Sequence, residues 1–529
     1  MGLVTRNKRA GVFAASAIML GLTCVVAMAE ETGADPSLEP QEASAPQSIT
    51  DGVVERVRAS LNGENWREQP DHVLYRLSEQ KWNRLLRDAL NLPNWVELSA
   101  QQRTRFESVS HPWRRGQLGQ TDVQIPQRTN VRLGVTRGPF ALLFEGIDSR
   151  TNGQQLPNDF NGSSLVNHTD ILQLFASGTF RDTFGSGLRT DIHVGRFTFE
   201  FGSVRLIGRN LIPNVTNAFD GVHLNIGKES VWRVRGFLVE PRLLDPLQLD
   251  EQSAKSTFWG TIGEFKQQPW MITEPYYLGI NDQVRATRRT FSTFGLRLHK
   301  KPAAPGLMND DDDDDESGTS ADILNGVHGF DYELETAVQT GTRGQNDFFA
   351  YMGHAELGYT FNAPWRPRFV AQYDYSSGTR TPGGSQNQTF DSLFGLRRFD
   401  MMITANFGPF FRSNINGPGW RVVVKPRENI EVFLKQRFWY LAQGKDAFVQ
   451  SNQPGFAPLQ DPTGNSGNYL GHDLELTAIW RVSSNLTLEA VYDHWSKGSY
   501  FDRLPVSAGL PPGGNKDTDY FYLSMHVRL

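Results

Sequence analysis

The chain has 529 residues, 53 Lys and Arg against 58 Asp and Glu, and a net charge of −5. Only 38% of its residues are hydrophobic, 11% are aromatic, and Gly occurs 50 times. This balance excludes a basic nucleic-acid binder and a strongly acidic solvating chain as defaults. Beyond the leader, no apolar run reaches the length of a transmembrane helix.

The leader comes first. Arg6, Lys8 and Arg9 precede an apolar stretch over 10–26, and Ala27-Met28-Ala29 forms a small-residue cleavage site. Residues 1–29 are therefore expected to be a secretory signal peptide, with Glu30 as the mature N-terminus. A lipoprotein signal acylated at Cys24 is the competing reading, but Thr23 before it is bulky for such a site. Cys24 is the one cysteine, so the mature chain cannot be disulfide-stapled, a cysteine-zinc protein or a thiol enzyme. Without the three leader cations the charge is −8, and without the seven acids of Asp310–Glu316 it is −1.

Residues 30–93 are expected to be a periplasmic N-terminal segment, disordered and then helical. The stretch 30–51 is rich in Pro, Ser, Glu and Ala. Over 52–92, Val73, Leu74, Leu77, Trp82, Leu85, Leu86 and Leu90 fall near a 3.6 spacing, and Pro93 ends it. This segment reads as a small helical pair at a barrel mouth, or as a plug or docking element.

From Trp95 the period becomes two. Val96, Leu98, Ala100, Thr104 and Phe106 alternate with Glu97, Ser99, Gln101, Arg103 and Arg105. A strand places these sets on opposite faces. Seventeen further strands are predicted near 124–136, 140–147, 169–178, 189–201, 218–226, 231–239, 256–263, 270–280, 290–299, 330–340, 349–361, 368–375, 420–426, 430–441, 471–482, 486–495 and 519–529. Connections after even strands are mostly short and those after odd strands mostly long. The connection 300–329, which holds the acid run, breaks the rule. An even strand number, this parity and a final alternating strand, Phe521, Leu523, Met525, Val527 and Leu529, predict an all-β transmembrane barrel of about 18 antiparallel strands over 94–529. Its place is the bacterial outer membrane, in contact with lipid. Phe106, Trp232, Trp259, Tyr359, Tyr373, Trp420, Trp480 and Tyr492 are its predicted outward aromatics.

A barrel of this width leaves an aqueous channel, and what lines it decides what passes. The predicted inner face carries Arg103, Arg105, Arg128, Arg132, Arg196, Arg233 and Arg235, and a second group of Arg421, Lys425, Lys435 and Arg437. Glu97, Glu200, Glu333, Glu335, Glu356, Asp374, Asp473, Glu475 and Glu489 face them. Such a lumen attracts anions, because guanidinium forks match carboxylates. The alternative is that these charges pair with one another and stiffen the wall.

Several ordered motifs carry a resemblance. Leu92-Pro93-Asn94-Trp95 with LSAQQRTRFES, then GRFTFEFGSVRLIGRN with AFDGVHL, then TFDSLFG, VVVKPRENIEVFLKQRFWYLA and LELTAIWRVSSNLTLEAVYDHWSKG resemble, in that order, the alginate export family of outer-membrane porins. The resemblance implies a monomeric barrel of 18 strands passing an acidic polysaccharide through an Arg-rich constriction. By motif, Arg103 and Arg105 match its first-strand bases, and Arg196, Arg205 and Arg209 its central ones. The chain departs at Phe197 and Thr198, where the family often has polar or basic residues, at the insert 300–329, and at Leu529.

The expected partners are lipid, an acidic polysaccharide or other anionic solute, and a periplasmic export partner, with no nucleic acid. No cofactor is expected. The run Asp310–Glu316 lacks the Gly-punctuated loop of a specific calcium site and is expected to bind divalent cations loosely at most. A general small-solute porin and a loop-mediated adhesin are the alternatives. An enzyme is disfavoured, because no Ser/His/acid or HExxH motif is present.

Overall fold

The computed structural model describes residues 85–112, 121–153, 165–209, 213–228, 231–252, 255–268, 271–284, 288–300, 329–396, 401, 410–448, 459–510 and 513–529. The expected signal peptide, most of the N-terminal segment and the acid run lie outside the described residues. Of the predicted helical region only the end is described, as the helix Leu85–Ala89. Arg87 of this helix pairs with Glu97 at 3.1 Å, which holds it against the first strand.

Eighteen long strands form the wall. They are β1 (Val96–Val109), β2 (Asp122–Arg137), β3 (Phe140–Asn152), β4 (Asn167–Phe180), β5 (Arg189–Phe197) and β6 (Phe219–Lys228). Then come β7 (Trp232–Leu243), β8 (Ser256–Gln268), β9 (Met271–Asp282), β10 (Arg289–Lys300), β11 (Gly329–Arg343) and β12 (Asn346–Thr360). The last are β13 (Arg368–Ser376), β14 (Ile415–Arg427), β15 (Ile430–Leu441), β16 (Tyr469–Arg481), β17 (Leu486–Lys497) and β18 (Thr518–Arg528). Each pairs antiparallel with the next, and β18 returns to β1 with Arg105 opposite Ser524 and Ser108 opposite Phe521. All the predicted strands are present. No described helix is long and apolar enough to cross a membrane.

Side-chain exposure fixes which face meets lipid. Leu133, Leu142, Leu238, Leu476 and Leu523 are 42–58% exposed, while their inward neighbours Arg132, Glu145 and Glu475 are at most 2% exposed. Apolar outside and charged inside is the reverse of a water-surrounded sheet protein, and is what a bilayer requires. Phe106, Tyr373, Trp480 and Tyr492 are exposed on the outer surface as predicted.

Three expectations need correction. The strand predicted to run to Phe201 leaves the wall after Phe197, so Glu200 joins Arg205 and Arg209 on the connection and is not on a strand. Only Gly344 and Gln345 join β11 to β12, a tight turn at the end where long connections gather. The lumen is also not purely ionic. Toward that same end Phe175, Phe197, Phe237, Phe258, Phe291 and Phe348 point inward and are buried in one cluster. They share strand parity with the charged residues, which hid them in the alternation.

The opposed pair Thr104 and Met525 tests closure. Opposed antiparallel residues stand about 4.5–5.5 Å apart at Cα, within disulfide range. The double variant T104C/M525C, with the sole native cysteine removed as C24S, should crosslink under oxidation within one chain. Failure to crosslink in a folded barrel would mean that β1 and β18 do not meet.

Candidate functional site

The site begins where β5 leaves the wall. Residues 198–209 and 213–218 turn inward, and Gly202 (φ +55°) and Val204 (φ +56°) bend the backbone in a left-handed conformation. Phe199 docks between Phe219 and Phe237, at 5.1 and 4.9 Å between ring centres, and Phe201 meets Tyr276 edge-on at 5.3 Å. Buried aromatic rings of this kind supply much of the docking energy of a segment. Farther along, Asn214 donates to the carbonyls of Gln127 (2.9 Å) and Leu165 (2.8 Å), and Ser149 Oγ donates to the Asn214 carbonyl at 2.6 Å. Arg205 pairs with Glu333 and with Glu335 (2.7 Å) on β11. The segment therefore crosses the lumen, from β5 and β6 to the β1–β3 wall on one side and to β11 on the other.

A second inward segment, 388–396, zips onto it. Ile207 and Phe394 form a parallel bridge. Phe394 N–H donates to the Leu206 carbonyl (3.0 Å), Gly208 N–H to the Phe394 carbonyl (3.1 Å), and Leu396 N–H to the Val204 carbonyl (2.7 Å). Gly395 is needed for this approach, because a Cβ there would stand 1.7 Å from the Arg205 carbonyl oxygen. Arg289 anchors the second segment through both oxygens of Asp391, at 2.8 and 2.7 Å. The 388–396 stretch of the long 377–414 connection thus lies within the barrel.

Against the crossing segment stands a basic sector of the wall. Arg103 on β1 is directly opposite Arg128 on β2 and His526 on β18. Arg105 and Arg132 occupy the neighbouring inward positions, and Arg209 enters from the crossing segment. Arg132 and Arg209 share Glu145, at 3.1 and 3.7 Å. Arg105 pairs with Glu107 at 3.0 Å and lies 4.6 Å from the Tyr522 ring centre. Arg103 donates to the Pro213 carbonyl (2.9 Å) and to Asn214 Oδ1 (3.0 Å), and Arg128 donates to the same Pro213 carbonyl at 3.4 Å. The four wall arginines are 2–7% exposed, so the crossing segment covers them.

Arg233, Arg235, Arg421, Lys435 and Arg437 are inward too, but already hold partners. Arg196, expected in the lumen, instead falls on the outward face of β5 with Val194 (51% exposed), because Phe197 beside it takes the inward position. Arg196 meets Asp220 (3.0 Å) and donates to the Ile171 carbonyl (2.8 Å). Arg233 meets Glu264 at 2.6 Å, and Arg235 donates to the Glu200 carbonyl at 3.3 Å. Arg421 meets Glu356 (3.3 Å), Lys435 meets Glu475 (2.7 Å), and Arg437 meets Asp374 (2.6 Å). Buried charges need such partners, because desolvation otherwise outweighs any gain.

Sequence reasoning missed Arg289 with Asp391, Arg297 with Glu274 (2.7 Å), and Asn214. Arg297 lies on a predicted strand at an inward position, so parity was enough to find it. Asn214 and Asp391 belong to connections, where no periodicity exists to mark them. Among the described residues no group of three or more His, Cys, Asp or Glu is placed to hold a metal ion.

Solved structures share the architecture. *Pseudomonas aeruginosa* OccK8 (OprE) matches with a TM-score of 0.51 at 11% identity, over 82% of this chain and 98% of that one. *Pseudomonas aeruginosa* OpdQ matches with a TM-score of 0.50 at 11% identity over the same shares. *Pseudomonas aeruginosa* OccK3 (OpdO) matches with a TM-score of 0.50 at 11% identity, over 82% and 95%. At such identity they establish the fold. No curated protein matches the sequence. The family profile described as Alginate export matches residues 94–507. With a closed barrel, a lipid-facing apolar surface and that match over most of its length, the chain belongs to the alginate export family of outer-membrane channels.

Proposed function

We propose that this channel carries an anionic polysaccharide of the alginate type, or another acidic solute, past the basic sector of β1 and β2. The observation that carries the reading is the convergence of Arg103, Arg105, Arg128, Arg132 and Arg209 where the crossing segment meets the wall. The family's description supports the substrate class.

The chemistry follows from the partners these groups hold. Arg103 and Arg128 donate to a neutral carbonyl, that of Pro213. A carboxylate adds its own negative charge and a two-oxygen fit to the guanidinium fork, neither of which a single neutral carbonyl offers. A uronate arriving at the sector competes for those donors and loosens the 213–214 anchor of the crossing segment. The segment yields as the polymer enters, and successive carboxylates exchange along several arginines, none of which holds the chain tightly. Arg205 and Arg289, each bound to buried carboxylates, position the two inward segments and do not receive substrate.

A second reading is a small-solute porin with little polymer selectivity. It is favoured by the cross-strand pairing of Arg421, Lys435 and Arg437, which leaves that part of the wall balanced.

Planar-bilayer recording separates the two. The account expects an anion-preferring reversal potential and block by oligouronate. Charge-assisted hydrogen bonds are worth about 1.5–3 kcal/mol, so R103Q and R128Q should each weaken block by about tenfold. An unselective current insensitive to oligouronate would favour the small-solute porin.

The inward segments make a second expectation. G395A pushes the 388–396 segment off Arg205. D391A frees that segment from Arg289, which keeps Asp282 at 3.2 Å, so the cost is below the about 3–5 kcal/mol of a fully orphaned buried charge. Both variants should raise single-channel conductance while the barrel remains folded. Unchanged conductance in both would show that these segments do not limit the path.

A further inference from the structure

One row of the inner wall holds buried polar atoms that the channel reading does not use. His193 on β5 is directly opposite His223 on β6, and Ser177 on β4 is opposite His193. Asn225 occupies the next inward position beyond His223. The residues are 1%, 6%, 5% and 9% exposed, in the order His193, His223, Ser177, Asn225. Among the described residues no hydrogen-bond partner reaches His193 Nδ1, His193 Nε2, His223 Nδ1, Ser177 Oγ or Asn225 Oδ1. Buried polar groups are nearly always satisfied, so five such atoms in one small region call for an occupant.

The donor types say what kind of occupant. Two neutral imidazoles with hydroxyl and amide oxygens beside them suit a borderline divalent transition cation such as Zn²⁺, and suit Mg²⁺ or Ca²⁺ poorly. The spacing agrees. Two imidazoles on one tetrahedral Zn²⁺, each nitrogen about 2.0–2.1 Å away, hold their ring centres roughly 5 Å apart. The centres of His193 and His223 are 5.6 Å apart. Apolar rings seal the place: Phe175 lies 5.6 Å from His193, and Phe199 lies 6.0 Å from His223. Across the strand from Asn225, Asp191 accepts from its amide nitrogen at 3.2 Å, which orients it.

The geometry points to a binding site for one divalent transition cation between His193 and His223, inside the lumen at the root of the crossing segment. β5 ends at Phe197 and β6 begins at Phe219, so the ion would clamp both ends of that segment to each other. Phe199 belongs to the segment and covers the pair, so ion entry requires it to lift, and uptake is slow.

The test uses full-length, untagged protein in detergent, equilibrated for hours with Zn²⁺ in excess Ca²⁺, which occupies carboxylate sites such as Asp310–Glu316. Calorimetry should find one zinc per barrel, and H193Q and H223Q should each weaken binding by more than about tenfold. H472Q, which alters a histidine outside the row, should bind as the parent does. No zinc binding by the parent, or undiminished binding in a folded H193Q or H223Q, overturns the site. Should both variants fail to fold, the zinc X-ray absorption edge of the parent decides. Two imidazole nitrogens in the first shell support the site, and an oxygen-only shell overturns it.

Discussion

Lipid offers a backbone no hydrogen bonds, and that constraint governs everything else in this molecule. A sheet with a free edge would leave a row of N–H and C=O groups unsatisfied in hydrocarbon. The chain removes its edges by pairing β18 with β1, and the last residue takes part: Leu529 and Ala100 exchange backbone hydrogen bonds at 2.8 and 2.9 Å. Closure then sorts the side chains. Leucines and part of the aromatics go to the outer surface, and most charged side chains turn inward.

Inward placement creates a second problem, because charges crowded into a lumen lose hydration. The protein solves it mainly by cross-strand pairing, as in Arg233 with Glu264 and Lys435 with Glu475. It also fills the space. The phenylalanines toward the long-connection end give residues 198–209 and 388–396 an apolar bed, so parts of two connections fold into the barrel. Arginines of the β1–β2 sector are the exception to simple pairing. There five guanidiniums meet around Glu107, Glu145 and the carbonyls of the crossing segment, and the proposal of anion handling rests on that convergence.

Most of the wall was legible in the sequence, because period-two alternation and turn parity are local signals. Arg128 and Arg132 were found for that reason. What failed was any feature that depends on a chain leaving the wall. GRFTFEF continues to alternate after Phe197, so Phe199 and Phe201 read as strand although they dock against other rings in the lumen. Gly395 carries no local sign that a carbonyl from residue 205 lies beside it. The apolar lumen was missed because an inward Phe and an inward Arg have the same parity, and only tertiary contact separates them.

The central claim is that the crossing segment yields to open a water path beside the basic sector. It is tested most directly by thiol chemistry at Ser524, which lies opposite Arg105 and is buried while the segment is seated. In S524C with Cys24 replaced by serine, the rates of modification by anionic and cationic methanethiosulfonates report the local field. The account predicts that the anionic reagent reacts at least about tenfold faster, since a charged cleft concentrates counter-ions by that order or more, and that oligouronate slows it. Equal rates, or a faster cationic reagent, would contradict it.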